Sequence, residues 1–167
     1  QAHRPIVRET TMSDTADLPM IERRRIEATI LKHVYETLKA SHGAESARQT
    51  IADAVRRSSV EQGRQMAAEV GGDTSLRSFA DIMPRWSKED AITMVIEESS
   101  ETRLAFDVTR CRYAEMYREM GLGDIGHLLS CQRDGTFCEG YDKRLKLTRT
   151  QTIMQGASHC DFKYDYE

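Results

Sequence analysis

Through the first half of the chain, apolar residues recur every third or fourth position, the pattern of helices that bury one face. Ile26, Ile30, Val34 and Leu38 follow at four-residue intervals, flanked by Leu31 and Tyr35, and predict a helix over 18–42 with that stripe inward. Asp17 suits its N-cap, Pro19 its first turn and Gly43 its end. A second helix is expected over 44–70, burying Ala47, Ile51, Val55, Met66 and Val70 and stopping at Gly71-Gly72. Its many alanines favour close approach of another helix, and Arg56, Arg57, Glu61 and Arg64 form its solvated face. A shorter helix over 74–83, capped by Asp73 or Thr74, ends near Pro84, and Trp86 reads as a packing residue.

The period then drops towards two. Ile92–Ile96 and Leu104–Val108 predict a β-hairpin whose turn, Glu97–Glu101, is acidic and reads as a solvated loop rather than a cation site. Helices are expected over 113–120, broken by Gly121 and Gly123, and over 124–140. Residues 145–154 read as a strand, 155–158 as a turn and 160–164 as a last strand. The expected fold class is α+β: an N-terminal helical hairpin packed on a mostly antiparallel sheet of about four strands, with further helices. Residues 1–17 read as a flexible arm and 18–167 as a single domain.

Composition narrows the partners. The 167 residues are 39% hydrophobic and 31% charged, with a net charge of −3. That balance gives no footprint for nucleic acid. No apolar run approaches ~18 residues, so no membrane span is expected, and the first residues lack the apolar centre of a secretory signal. Cys111, Cys131, Cys138 and Cys160 are then expected as reduced thiols in a cytoplasm. A small-molecule substrate fits better than a macromolecule, and a homo-oligomer is left open.

The reactive side chains all follow position 110. On a regular helix, His127, Cys131, Asp134 and Cys138 fall on one face at spacings of 4, 3 and 4. An imidazole and a carboxylate then flank Cys131, which is a way to activate a thiol or to hold a metal; burial as a small apolar residue is the competing reading. His159, Cys160 and Asp161 form a second cluster at the turn into the last strand, with Cys160 on the opposite face. Arg149, on a strand face with Leu147, Gln151 and Ile153, needs an anion, either a substrate carboxylate or an internal acid. Cys111 is flanked by Arg110 and Arg112, which lower a thiol pKa. A metal held by Cys111, Cys131, Cys160 and His159 matches no short zinc spacing, and no metal is expected.

These residues also carry a family resemblance. Cys111-Arg112-Tyr113-Ala114-Glu115-Met116-Tyr117 with Gly121, Leu129-Ser130-Cys131-Gln132-Arg133-Asp134, Glu139-Gly140, Leu147 to Gly156, and His159-Cys160-Asp161-Phe162 occur in the order seen in the L-2-amino-thiazoline-4-carboxylic acid hydrolases. The chain resembles that family over about 103–164. The resemblance implies cofactor-independent hydrolysis of a small cyclic isothiourea: water adds to the carbon between nitrogen and sulfur, and thiolate is expelled to give N-carbamoyl-L-cysteine. It points to Cys111, Cys131, Asp134, Arg149, Thr152, Gly156 and Cys160, with Arg149 as the substrate-carboxylate clamp, and to His159, Asp134 or Cys131 as the activating group. Asp161 or Thr152 would assist the ring nitrogen, and Tyr113 and His127 would contact substrate. Cys138, and the turn Tyr141-Asp142-Lys143 where the family has an aromatic-Asn-Pro turn, depart from the pattern, the latter at an expected pocket rim. Two expectations follow: the helices over 18–42 and 44–70 are a scaffold away from the chemistry, and at least one thiol, first of all Cys131, has a depressed pKa. The competing classes are a hydrolase of another small cyclic amide and a non-catalytic small-molecule binding or sensor domain.

Overall fold

The computed structural model describes residues 18–167, so the expected arm and the Asp17 cap lie outside the described residues. Helix α1 (Met20–His42) and helix α2 (Ala44–Glu69) meet at Gly43, whose φ of 85° makes the sharp reversal possible. α2 buries Ala47, Ile51, Val55 and Met66 as expected, with Ser59 and Gly63 filling the gap in that stripe.

α1 turns a different face inward from the one expected. It buries Met20, Ile21, Arg24, Ala28 and Tyr35, while Ile26 is 60% exposed, Ile30 62% and Val34 39%. Apolar residues lie on two sides of this helix, so periodicity alone does not choose between them. Packing does: Ala28 and Tyr35 are almost wholly buried, and Arg24 is buried with a hydrogen bond to Gln62 of α2.

Helix α3 (Leu76–Ile82) starts at Ser75, not at Asp73 or Thr74, because Ser75 and Ser78 bond each other's backbone N–H reciprocally. Helix α4 (Pro84–Ser87) carries Trp86. Strands β1 (Ile92–Ser99) and β2 (Arg103–Cys111) form the expected hairpin, followed by helix α5 (Arg112–Glu119). The expected helix over 124–140 is divided: a π-helical turn (His127–Cys131) precedes helix α6 (Gln132–Tyr141). α6 crosses α2 where Gly63 and Gly140 bring the backbones together; a Cβ on either would strike a carbonyl, of Phe137 and Val60 respectively.

Strands β3 (Leu145–Thr148) and β4 (Cys160–Tyr166) complete a four-stranded antiparallel sheet in the order β1-β2-β4-β3. β3 is shorter than the strand expected over 145–154. The carboxylate of Asp161 accepts from the backbone N–H of Thr150 (2.9 Å) and Gln151 (3.0 Å), which removes the donors a longer ladder would need. Thr152 then caps a 3-10 turn (Ile153–Gln155). In register, Val108 opposes Cys160, Phe106 opposes Phe162 and Leu104 opposes Tyr164, so this face of β2 and β4 presents apolar side chains to the helices. Phe106 and Phe162 stack at 4.8 Å.

Candidate functional site

A cavity lies between that sheet face and the helices. Its two lobes, each about 70 Å3, share Arg24, Trp86, Ile92, Val108, Arg133, Asp134 and Phe162 in their walls. The first lobe is aromatic, with Phe79, Phe106, Phe137 and Tyr164; the second holds Tyr113, Cys111, Cys131, Cys160 and Arg149. A cavity of about 150 Å3 accepts benzene; either lobe alone is about half that size, and a small ring would draw on both.

Five sequence-separated candidates therefore converge: Cys111 from the end of β2, Cys131 and Asp134 from the π turn and α6, Arg149 after β3, and Cys160 from β4. Asp134 is the one carboxylate among the residues lining either lobe. Arg149 Nη1 donates to Asp134 Oδ2 at 2.6 Å and Nη2 to the Cys131 carbonyl at 2.8 Å, while the guanidinium lies 4.8 Å over the Phe162 ring. Of the two anions the sequence offered Arg149, the internal acid is the one it holds here. Asp134 keeps 29% of its side-chain surface accessible, although it lies deep among protein atoms. Burial pushes its carboxyl above the ordinary range against the opposing pull of Arg149, Arg24 and Arg133. Burial lowers the Arg149 pKa, but Asp134 outweighs it and the net shift is upward.

The thiols differ from expectation. Burial pushes Cys111 up to about 11 and Cys131 up to about 12, and raises Cys160 as well. At neutral pH a thiol of pKa near 11 is ionised in only about one molecule in ten thousand. No depressed thiol pKa occurs among them: Arg110, beside Cys111 in sequence, is engaged by Glu115, and Asp134 acts on Cys131 from nearby. Cys138 does not line the cavity; its thiol donates to the Asp134 carbonyl within α6.

The remaining candidates lie elsewhere. The wider π turn breaks the regular 4-3-4 spacing and places His127 in a separate surface depression with Arg48 and Glu45. Burial, followed by Arg48, lowers its pKa. His159 Nε2 stands 3.7 Å from Asp107, and its carbonyl accepts from Gln151. Asp161 organises the loop after β3: burial opposes its ionisation, but bonds from Thr150 and Gln151 outweigh it and lower its pKa. Thr152 is spent on its cap, and Tyr113, which does line the second lobe, donates to the Trp86 carbonyl at 3.0 Å. The turn Tyr141-Asp142-Lys143 lines neither lobe, so its departure from the family pattern is not at the cavity rim.

Two cavity residues were given no role by the sequence, although Arg133 lies within the Leu129–Asp134 motif. Arg24 donates to Glu27 Oε1 (2.7 Å) and Gln62 Oε1 (2.8 Å), and Arg133 to Glu27 Oε2 (3.1 Å) and the Leu129 carbonyl (3.0 Å). Arg24 thus brings α1 into the cavity wall, where only a scaffold was expected. The available signal was an arginine four residues from both Met20 and Ala28, in line with a face that could be buried. Among the described residues, no group of three or more His, Cys, Asp or Glu side chains is arranged to hold a metal ion. No described helix is long and apolar enough to cross a membrane.

Residues 23–164 match the family model of the L-2-amino-thiazoline-4-carboxylic acid hydrolases. No curated protein matches the sequence. Among solved structures, the phenol-responsive sensory domain of the transcription activator PoxR with phenol has a similar fold, at a TM-score of 0.51 and 13% identity over 83% of this chain and 73% of that one. An unliganded Fe(II) H-NOX protein mutant from K. algicida aligns at a TM-score of only 0.30 and 11% identity, over 93% and 67% of the two chains.

Proposed function

The chain belongs to the L-2-amino-thiazoline-4-carboxylic acid hydrolase family, and from that premise we propose that it opens a small, carboxylate-bearing cyclic amidine by hydrolysis, with Asp134 moving the protons. The observation that carries this reading is Asp134 itself, the one acid lining the cavity, held by Arg149 at 2.6 Å and shifted upward by burial. A carboxyl raised above its usual range takes up and returns protons nearer neutrality than a surface aspartate does. Water attacks the ring carbon between nitrogen and sulfur. Asp134 takes the proton that water loses and passes it to the ring nitrogen, which receives the C=N electron pair. The hydroxyl proton of the tetrahedral intermediate then passes by the same carboxyl to sulfur as the C–S bond breaks, leaving a urea carbonyl and a thiol. Phe162 and Trp86 supply apolar walls for the ring, and Arg149 fixes the carboxyl that does the work. The protonated thiols are walls rather than nucleophiles.

The test is turnover of L-2-amino-thiazoline-4-carboxylate, followed as product thiol, by the unaltered chain and by Asp134→Asn. Turnover that falls about 1,000-fold in the variant supports the reading; tight binding of the same compound without turnover by the unaltered chain sinks it. The second reading is a binding or sensor domain. It is favoured by the aromatic lining of the first lobe and by the fold shared with a domain that responds to phenol. A third compound class, other small cyclic amides, is separated from the first by comparing turnover of the two rings.

A further inference from the structure

We infer that Arg24 and Arg133 form an anion subsite at the junction of the two lobes, where the carboxylate of a ring-sized ligand docks. The inference rests on the hydrolase reading only for the identity of the ring.

Both guanidiniums are withdrawn from solvent, at 3% and 7% residue exposure, and both line both lobes. Three arginines stand at this wall, Arg24, Arg133 and Arg149. Two carboxylates answer them. Asp134 is held by Arg149 at 2.6 Å, and Glu27 is divided between Arg24 at 2.7 Å and Arg133 at 3.1 Å. Counting direct ion pairs, one positive charge is left in excess. Glu27 also keeps 38% of its side chain exposed and belongs to a polar depression on the outer side of the same arginines, so water screens its charge. Both arginines line the lobes as well as that depression, so an anion in the cavity would meet the same pair of charges from the other side. Burial, followed by the repulsion from Arg24, lowers the Arg133 pKa to about 10, as expected of two cations sharing one anion.

An unneutralised buried charge is unfavourable, and a monoanion entering the cavity removes the imbalance. A carboxylate does so with charge-assisted bonds that an amide or phenol cannot match. A carboxylate at Arg24 and Arg133 leaves the rest of a small ring beside Asp134, which also lies at the junction of the lobes. An amidine there faces the acid that complements it. Ligand selection is then shared between α1 and α6.

The test uses two pairs of ring-sized probes, benzoate with benzamide and L-2-amino-thiazoline-4-carboxylate with 2-amino-2-thiazoline. Binding is read by calorimetry and by the fluorescence of Trp86, the one tryptophan of the chain and a lining residue of both lobes. The unaltered chain is expected to prefer the anionic member of each pair it binds by at least about tenfold. Arg24→Gln should reduce that preference to under about threefold while leaving the neutral member unchanged. Glu27→Gln, a surface isostere that needs no buried change, should strengthen the anionic member by about threefold or more, because the guanidiniums lose their competing anion. The subsite is overturned if the unaltered chain shows no preference, if the preference survives Arg24→Gln, or if Glu27→Gln leaves carboxylate affinity unchanged or weaker. Benzoate discrimination that responds to both variants, with no turnover of the thiazoline, retains the subsite and refutes the hydrolase reading. Thiazoline turnover whose KM ignores Arg24→Gln does the reverse.

Discussion

Two aspartate–arginine pairs stand at opposite ends of α6, and they are built for different ends. Asp142, just past the helix, accepts from the Arg144 backbone N–H (3.0 Å), Arg144 Nε (3.0 Å) and Nη2 (2.9 Å), Thr74 Oγ1 (2.9 Å) and the Tyr166 hydroxyl (3.1 Å). Burial pulls its carboxyl upward, but these bonds outweigh it and hold the pKa at about 2. Asp134, near the start of the helix, accepts one side-chain bond, from Arg149, and burial wins. An arginine partner alone therefore does not fix a carboxylate's state; the depth of burial set against the number of donors does. Asp142 is a permanent anion that ties the approach to α3, the end of α6 and β4 together. Asp134 retains the capacity to change protonation.

The largest effect expected from this contrast is at Asp134. Asp134→Asn should lower kcat about 1,000-fold, or about 4 kcal/mol in barrier, with the circular dichroism of the folded chain retained. The base form is needed for attack, so activity rises with pH through the Asp134 pKa. Because that pKa is raised, the acid limb of kcat/KM should lie above the ordinary 3.8. A limb at or below that value would place the working base elsewhere.

Arg149 sharpens the same contrast. Lysine cannot bridge the Asp134 carboxyl and the Cys131 carbonyl together, so Arg149→Lys should misplace the acid and lower kcat about 10- to 100-fold with KM little changed. A raised KM with an intact kcat would make Arg149 the substrate clamp instead.

Asp142 supplies the structural half. Asp142→Asn should cost about 1–3 kcal/mol of stability at neutral pH and leave turnover unchanged. Its folded pKa is depressed, so this contribution is present above the unfolded carboxyl value. It fades as pH falls from 3.8 through 2 and is gone only below both values, where both states are protonated. Denaturant midpoints of the two chains should therefore converge in acid. A constant gap would assign the loss to packing.

What could be read from the sequence was mostly what short-range pattern encodes. The hairpin over β1 and β2, the extents of α1 and α2 and the α+β class follow from periodicity and glycine stops. The convergence of Cys111, Cys131, Asp134, Arg149 and Cys160 was carried by ordered motifs, since no local rule brings them together. Two of the misreadings come from partners remote in sequence, and a third from a local departure from regular helix. Ile26 and Ile30 faced outward because Arg24 met Gln62 across α2, 38 residues away. The strand after Leu145 stopped because Asp161 captured its donors, and His127 left the Cys131 face because a π turn intervened.

The smallest effect is expected at the thiols, and it bears hardest on which group in the cavity does chemistry. Asp134 and Cys131 line the same second lobe, and burial raises both pKa values. The consequences differ because the starting points differ. A raised carboxyl comes nearer to neutrality, whereas a thiol moved from 9.0 to about 12 goes further away. Cys131→Ser should accordingly keep kcat within about tenfold, roughly 1.4 kcal/mol, as should the same change at Cys111 and at Cys160. Alkylation of the native chain by iodoacetamide should be slow at pH 7 and still rising at pH 10, without the plateau of a depressed thiol. A loss of about 1,000-fold in Cys131→Ser, with a plateau near neutrality, would mean that the cavity stabilises a thiolate against its own burial. Asp134 would then serve the leaving group, and the difference between the two aspartates would concern proton return rather than the activation of water.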